Sequence, residues 1–141
     1  MRTDVEYVNP DGACPAQGLY AHVARVPSGP LLFLAGQLSV GANGEVVGTD
    51  DFERQFRQVF QNMGDVLKGV GATFNDIAKF TTYLTSSDYI ETFMQARAAL
   101  FPKIFSSSLY PPNTLLIVER LVKKEFMIEV EAVAHEVNGR S

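Results

Sequence analysis

Glu129 and Glu131 are the residues of this sequence whose type and spacing most directly suggest chemistry. In an extended strand, side chains at i and i+2 leave the same face, roughly 6–7 Å apart from the strand rise. Glutamate is depleted from strands, so two of them in the otherwise apolar run 126–134 invite a reason. A carboxyl partly withdrawn from water has its pKa raised, which suits it to exchanging protons with water near neutral pH. The pair is also consistent with a half-solvated face, or with ion pairs to Arg120, Lys123 or Arg97. Other catalytic templates are missing: the sequence has no glycine-rich phosphate loop, no nucleophile-elbow spacing and no zinc-type His-Glu motif. His22 and His135 stand far apart in the chain, and Cys14 is the single cysteine, so neither a metal cluster nor an intrachain disulfide is expected.

The elements that must carry this pair can be read from periodicity. Strands are expected over 5–8, 19–26 and 31–39, the last built on Leu31-Leu32-Phe33-Leu34-Ala35 and closed by Gly36-Gln37. Asn43-Gly44 marks a tight reversal. Phe52, Phe56, Val59, Phe60, Met63, Val66, Leu67 and Val70 recur at steps of three and four and predict an amphipathic helix. Asp50 with Glu53 resembles its capping box, and Gly69 and Gly71 offer its end. The stretch 79–86 alternates Phe80, Thr82 and Leu84 against Thr81, Tyr83 and Thr85, as a two-faced strand does. A second helix carries Tyr89, Ile90, Phe93, Ala96, Arg97, Leu100 and Phe101 along one side, with Pro102 setting its end or a kink. Residues 114–122 and 126–135 read as a final hairpin around Lys123-Lys124-Glu125.

The order β-β-β-α-β-α-β-β predicts an α+β domain over 1–141: one six-stranded mixed sheet with two helices on one face. In the last strand Ile128, Val130, Ala132 and Ala134 make an apolar side, assigned to the helices. Met127, Glu129, Glu131, Val133 and His135 make a mixed side, left to solvent or to an interface.

Composition narrows the function classes. The chain has 141 residues, 46% hydrophobic and 20% charged, as expected of a folded soluble domain. Its net charge is −4 and its pI about 5.1. No basic stripe is visible, which argues against nucleic-acid binding. No apolar run reaches transmembrane length, and Met1-Arg2-Thr3-Asp4 leads into polar residues, so no membrane span, no secretory leader and a cytoplasmic location are expected.

From end to end the sequence resembles the RidA/YjgF family of reactive-intermediate deaminases. The resemblance rests on Gly18-Leu19-Tyr20, on Leu34-Ala35-Gly36-Gln37-Leu38, on Asn43-Gly44-Glu45-Val46-Val47 and on the helix over 50–71. It continues through Asp76-Ile77-Ala78-Lys79, Thr82-Tyr83-Leu84, the stretch 86–101, Pro111-Pro112-Asn113-Thr114 and the run 126–134. It implies a chorismate-mutase-like fold and a homotrimer whose open sheet faces pack around a three-fold axis, with small-molecule clefts between subunits. It further implies hydrolysis of an enamine or imine to a carbonyl product and ammonia, with no metal and no cofactor. By position, the water-handling glutamate falls on Glu129, a pocket tyrosine on Tyr20 and the turn glycine on Gly36. The arginine that grips a substrate carboxylate in the family is replaced by Asn113, followed by Thr114, and these two are the remaining substrate-binding positions. Asparagine donates hydrogen bonds but has no charge, and loss of such a clamp removes roughly 1.5–3 kcal/mol. Arg97 or Arg120 is available as a substitute anion partner. Tyr20 and Tyr110 either wall the pocket or sit as amphipathic boundary residues. The alternative to an enzyme is a metabolite-binding trimer of the same fold without turnover. RNA cleavage is the reading least compatible with the charge.

Overall fold

A computed structural model describes residues 4–137. Met1, Arg2 and Thr3, on which the expectation of no leader partly rests, lie outside the described residues. The strands are β1 (Glu6–Val8), β2 (Val23–Arg25), β3 (Leu31–Gln37), β4 (Ile77–Leu84), β5 (Asn113–Ile117) and β6 (Ile128–His135). The helices are α1 (Phe52–Gly69), between β3 and β4, and α2 (Ile90–Ile104), between β4 and β5. The α+β class with two helices is therefore as the pattern implies.

The strands divide differently from the single six-stranded sheet expected. Four form a mixed sheet in the order β3-β6-β4-β5, while β1 and β2 form a separate antiparallel ribbon. The ribbon has its own small core of Val5, Tyr7 and Ala21. It is tied to the main sheet by a side chain, the Tyr7 hydroxyl donating to the Ile77 carbonyl at 2.7 Å, and by Ala21 N donating to Tyr110 O at 2.8 Å.

The expected terminal hairpin does not form. β5 pairs in parallel with β4, and β6 lies between β3 and β4, antiparallel to both. The sequence signal for two strands joined by a polar turn is the same whether they are neighbours or straddle a third. Here the β4–α2–β5 crossover seats β5 on the outer edge, where a parallel partner is reached only through an intervening helix.

α1 begins one residue later than the capping box suggests. Asp51 is the N-cap and accepts from Arg54 N, whereas Asp50 sits at φ +61° in the preceding turn. Gly71, at φ +74°, ends the helix: Gly71 N donates to Lys68 O and Ala72 N to Leu67 O, the paired bonds of a left-handed terminus. The buried stripe holds Phe52, Phe56, Val59, Phe60, Met63 and Leu67, but Val66 and Val70 face outward. Gln55, buried in α1, donates to Gly48 O and Glu125 O and accepts from Met127 N, which ties the loops before α1 and before β6 to the helix. α2 runs past Pro102 to Ile104, burying Phe93, Arg97 and Phe101.

Both helices cover one face. Ile128, Val130, Ala132 and Ala134 are buried there with Ile77, Phe80, Leu84 and the phenylalanines of α1 and α2, as the alternation predicts. Met127, expected on the mixed side, is instead buried in this core because β6 starts only after it. The other face is open. Phe33 is 78% exposed there, Leu31 and Leu116 are also exposed, and Glu129 and Glu131 are half-buried.

Candidate functional site

Register places the two glutamates. Tyr83 lies opposite Glu129 and Thr81 opposite Glu131 across the β4–β6 ladder, so all four side chains share the open face. On the other side of β6 the ladder slips: Leu34 pairs with Ala132, but Gln37 pairs with Val130. The extra residue is a bulge at Ala35-Gly36, and bulges re-aim neighbouring side chains. Gly36 makes room there, because a Cβ would stand 2.8 Å from Glu129 Cγ and overlap the carboxylate, which would have to move. The glycine thus lets the Glu129 carboxyl lie across β3.

The resulting hollow, of about 320 Å³, is lined by Gly36, Tyr83, Val118, Arg120, Leu121, Glu129 and Glu131. The Tyr83 hydroxyl donates a short hydrogen bond to Glu131 Oε1. That bond raises the Tyr83 pKa, with burial and the glutamate charges adding to it. Burial raises the Glu129 pKa, and the neighbouring Glu131 charge pushes it the same way. Glu129 has no hydrogen-bond or ion-pair partner among the described residues, in contrast to Glu131. The carboxyl is therefore the one left open to a water or ligand. Arg120 enters the hollow from the loop after β5, with Nε bonded to Leu121 O and Nη2 to Val122 O.

The structure thus brings together two of the five expected site residues, Gly36 and Glu129. Thr114, opposite Thr81 on β5, is exposed on the same open face. Asn113 pairs with Phe80 and points to the helix-covered side, where its Oδ1 accepts from Thr82 Oγ1 at 2.7 Å. Tyr20 lies in the loop after Gly18, its hydroxyl accepting from Gln17 N at 3.1 Å, and it does not line the hollow. Tyr110 packs edge-on against Phe101 and belongs to the core boundary. Of the ion pairs weighed for the glutamates, none forms among the described residues. Tyr83 was not singled out from sequence. The alternation in β4 separates it from Phe80 and Leu84, but only the register with β6 shows that its face is that of Glu129. His22 contacts the Cys14 carbonyl at 2.6 Å, and Cys14 is exposed and free. Among the described residues no cluster of His, Cys, Asp or Glu could hold a metal ion. Among the described residues no helix is long and apolar enough to cross a membrane.

The sequence model of the Endoribonuclease L-PSP family matches residues 12–136. The RutC family protein YjgH of Escherichia coli is 32% identical over 126 residues, covering 89% of this chain and 92% of that protein. The chloroplastic Reactive Intermediate Deaminase A of Arabidopsis thaliana is 32% identical over 98 residues, 69% of this chain and 51% of that one. The crystal structure of YyfB of Yersinia pestis, a Rid-family protein of unknown function, superposes with a TM-score of 0.82 at 30% identity, covering 94% of this chain and 99% of that one.

Proposed function

The chain belongs to the RidA/YjgF family, and from that premise we propose that it hydrolyses a small imine or enamine at the hollow beside Gly36. The observation that carries this reading is the Glu129 carboxyl, half-buried, raised in pKa and without a protein partner. In this reaction the carboxylate takes a proton from a water as the water oxygen bonds to the C=N carbon. It returns that proton to nitrogen to give a carbinolamine. It then takes the carbinolamine hydroxyl proton and passes it to nitrogen as the C–N bond breaks, leaving a carbonyl and ammonia. An enamine first tautomerises to the imine by moving a proton from nitrogen to carbon. The steps need one group that exchanges protons with water near neutral pH, and raised carboxyls do this. The deaminase name of the Arabidopsis relative is consistent with this chemistry.

Tyr83 and Glu131 support Glu129 without contacting the reacting atoms. Tyr83 satisfies Glu131, and the fixed Glu131 charge helps to hold the Glu129 proton affinity up. In this reading Thr114 meets the ligand from the open face, and Tyr20 and Asn113, which do not line the hollow of their own chain, meet it only across a subunit boundary. The open face itself, with Phe33 and Leu31 exposed, fits the packing of three copies into a homotrimer with clefts at the boundaries. A net charge of −4 disfavours a phosphodiester backbone as ligand, despite the endoribonuclease name of the family.

The test is ammonia release from imines generated in situ, 2-aminoacrylate among them, by wild type and Glu129→Gln. The reading requires catalysed release in wild type and its loss in the variant. Binding of the same compounds without release would support the alternative, a metabolite-binding protein, for which the neutral Asn113 is the residue in favour.

A further inference from the structure

α1 and α2 run side by side in the same direction. Phe56 meets Phe93 and, one turn on, Phe60 meets Phe101, at ring-centroid distances of 5.6 and 5.7 Å. On the side away from the sheet the two helices leave a groove between them. Its first half, about 350 Å³, has Phe56, Ala96, Ala99 and Leu100 as floor and walls, with Glu53, Arg57 and Lys103 at the rim. Its second half, about 340 Å³, continues past Arg57 and Leu100 to Phe60, Phe74 and Ile104. From Glu53 to Gly64 the groove is roughly 16 Å long by helical rise. Two alanines on α2 keep it open, since neither side chain reaches across to α1.

Shape and charge together say what the groove takes. Its apolar lining is recessed: Phe56 is buried, Ala96, Leu100 and Ile104 are half-buried, and the exposed large apolar side chains of the described molecule all lie elsewhere. Recessed apolar walls around such a volume suit a small molecule, whereas a protein partner is met by a contiguous patch of exposed apolar area. The rim is cationic. Arg54 joins Arg57 in an adjoining hollow of about 260 Å³, and Glu53 is the one acid that lines any of these spaces. Glu53 and Arg57 approach only to 3.9 Å, with side chains 65% and 66% exposed, a pair worth little in water. Arg54 and Lys103 make no ion pair among the described residues. Three cations thus face one acid on the flank of a chain whose net charge is −4. An apolar trough under a positive rim complements an anion with an apolar body.

We propose that the groove between α1 and α2 is a second binding site, which takes a medium-chain alkyl carboxylate. The chain lies along Phe56, Ala99 and Leu100, and the carboxylate sits between Arg57 and Lys103 in place of the loose Glu53 contact. The length of the groove favours an extended chain over a compact ring. The site goes beyond the hydrolase reading and does not rest on it. Groove and Glu129 hollow are on opposite sides of the sheet, so packing of the open faces into a trimer leaves the groove accessible.

The experiment is an NMR titration of the full chain with octanoate, butyrate and 1-octanol, each below its aggregation concentration. Octanoate is expected to move the Ala96, Ala99 and Leu100 amides and the Arg57 Nε–H. Butyrate should bind roughly tenfold or more weaker, because its chain buries fewer methylenes. Octanol should bind roughly threefold or more weaker, because it brings no charge to the rim. Glu53→Gln removes the competing carboxylate and should tighten octanoate but not octanol, whereas Arg57→Gln should bring octanoate down towards octanol. Ala99→Phe fills the groove from an exposed helix position and should weaken octanoate roughly tenfold. Equal affinity for octanoate and octanol, undiminished octanoate binding by Arg57→Gln, or shifts centred on Gly36 and Tyr83 would overturn the site. Movement of the same amides on raising protein concentration without ligand would give the groove to a second copy, and so overturn it too. If Ala99→Phe does not fold, the opposite signs expected of the two surface charge variants still decide. No turnover is read, so a failure of ammonia release beside an intact octanoate response would remove the hydrolase reading alone.

Discussion

The Glu129 carboxyl differs from an ordinary surface glutamate in three ways: it is half-buried, it faces a second carboxylate on its own strand, and it crosses a glycine. Glu129→Gln is expected to cut turnover by roughly 10²–10⁴-fold, the usual contribution of a general base. The acid limb of the kcat/KM profile should fall at a pH above the ordinary glutamate range, because the base is lost as pH drops through a raised pKa. The sign for stability is the opposite. A pKa raised by folding means that stability is fully present below the unfolded pKa and lost as pH rises through the folded one. Glu129→Gln should therefore unfold at a higher temperature than wild type at pH 7–8. In melts across pH, that difference should shrink as pH falls below the unfolded glutamate pKa, about 4.3. A variant less stable than wild type at pH 8 would contradict the burial cost. Gly36→Ala tests the same contact from the other side. The new methyl must displace the Glu129 carboxyl, so activity should fall sharply while far-UV circular dichroism is unchanged.

The elements are held by few devices, and each can be probed alone. Asp51 caps α1 by accepting from Arg54 N, so Asp51→Ala should lower stability by about 1 kcal/mol in urea unfolding. Asp50→Ala should not mimic it, since Asp50 is in the turn before the cap, although its φ of +61° adds some strain for alanine. Phe101 links α2 to β4 and to the Tyr110 loop, touching Phe60, Phe80, Phe105 and Tyr110 at ring-centroid distances of 5.0–6.0 Å. Phe101→Ala should cost about 3–5 kcal/mol, and because Phe101 helps to seat α2, it should also disturb the Arg97 surroundings.

At the scale of the molecule, the sheet is covered on one side only. Phe33 is 78% exposed on β3, and Leu31 and Leu116 are exposed on the same face. Apolar residues at this density on an open sheet mark an association surface. The expected assembly is three 15.5 kDa chains, read by sedimentation at micromolar concentration. Phe33→Asp should shift that assembly towards monomer and abolish turnover, while leaving the helix-covered core intact. A wild-type monomer at that concentration would remove the trimer and any site composed from two copies.

Periodicity within the chain was enough for α1, whose stripe from Phe52 to Leu67 repeats every three or four residues, and for the inward side of β6. It was also enough to bring Glu129 and Glu131 to one face, since alternation is local. The resemblance added Gly36 as a pocket residue, and the bulge is what brings it against Glu129. What local pattern could not decide was which strands are neighbours. Pairing is a long-range choice, and the β5–β6 turn reads the same with β4 inserted as without it. For that reason Tyr83 could not be set beside Glu131, nor Asn113 turned away from Glu129, before the register was known. Arg97 shows the same limit in another form. Its place on the α2 stripe was legible, but whether a guanidinium there finds a carboxylate depends on the sheet beneath and the loop above. Those elements come from distant parts of the chain, and only their packing leaves the charge buried and unpaired.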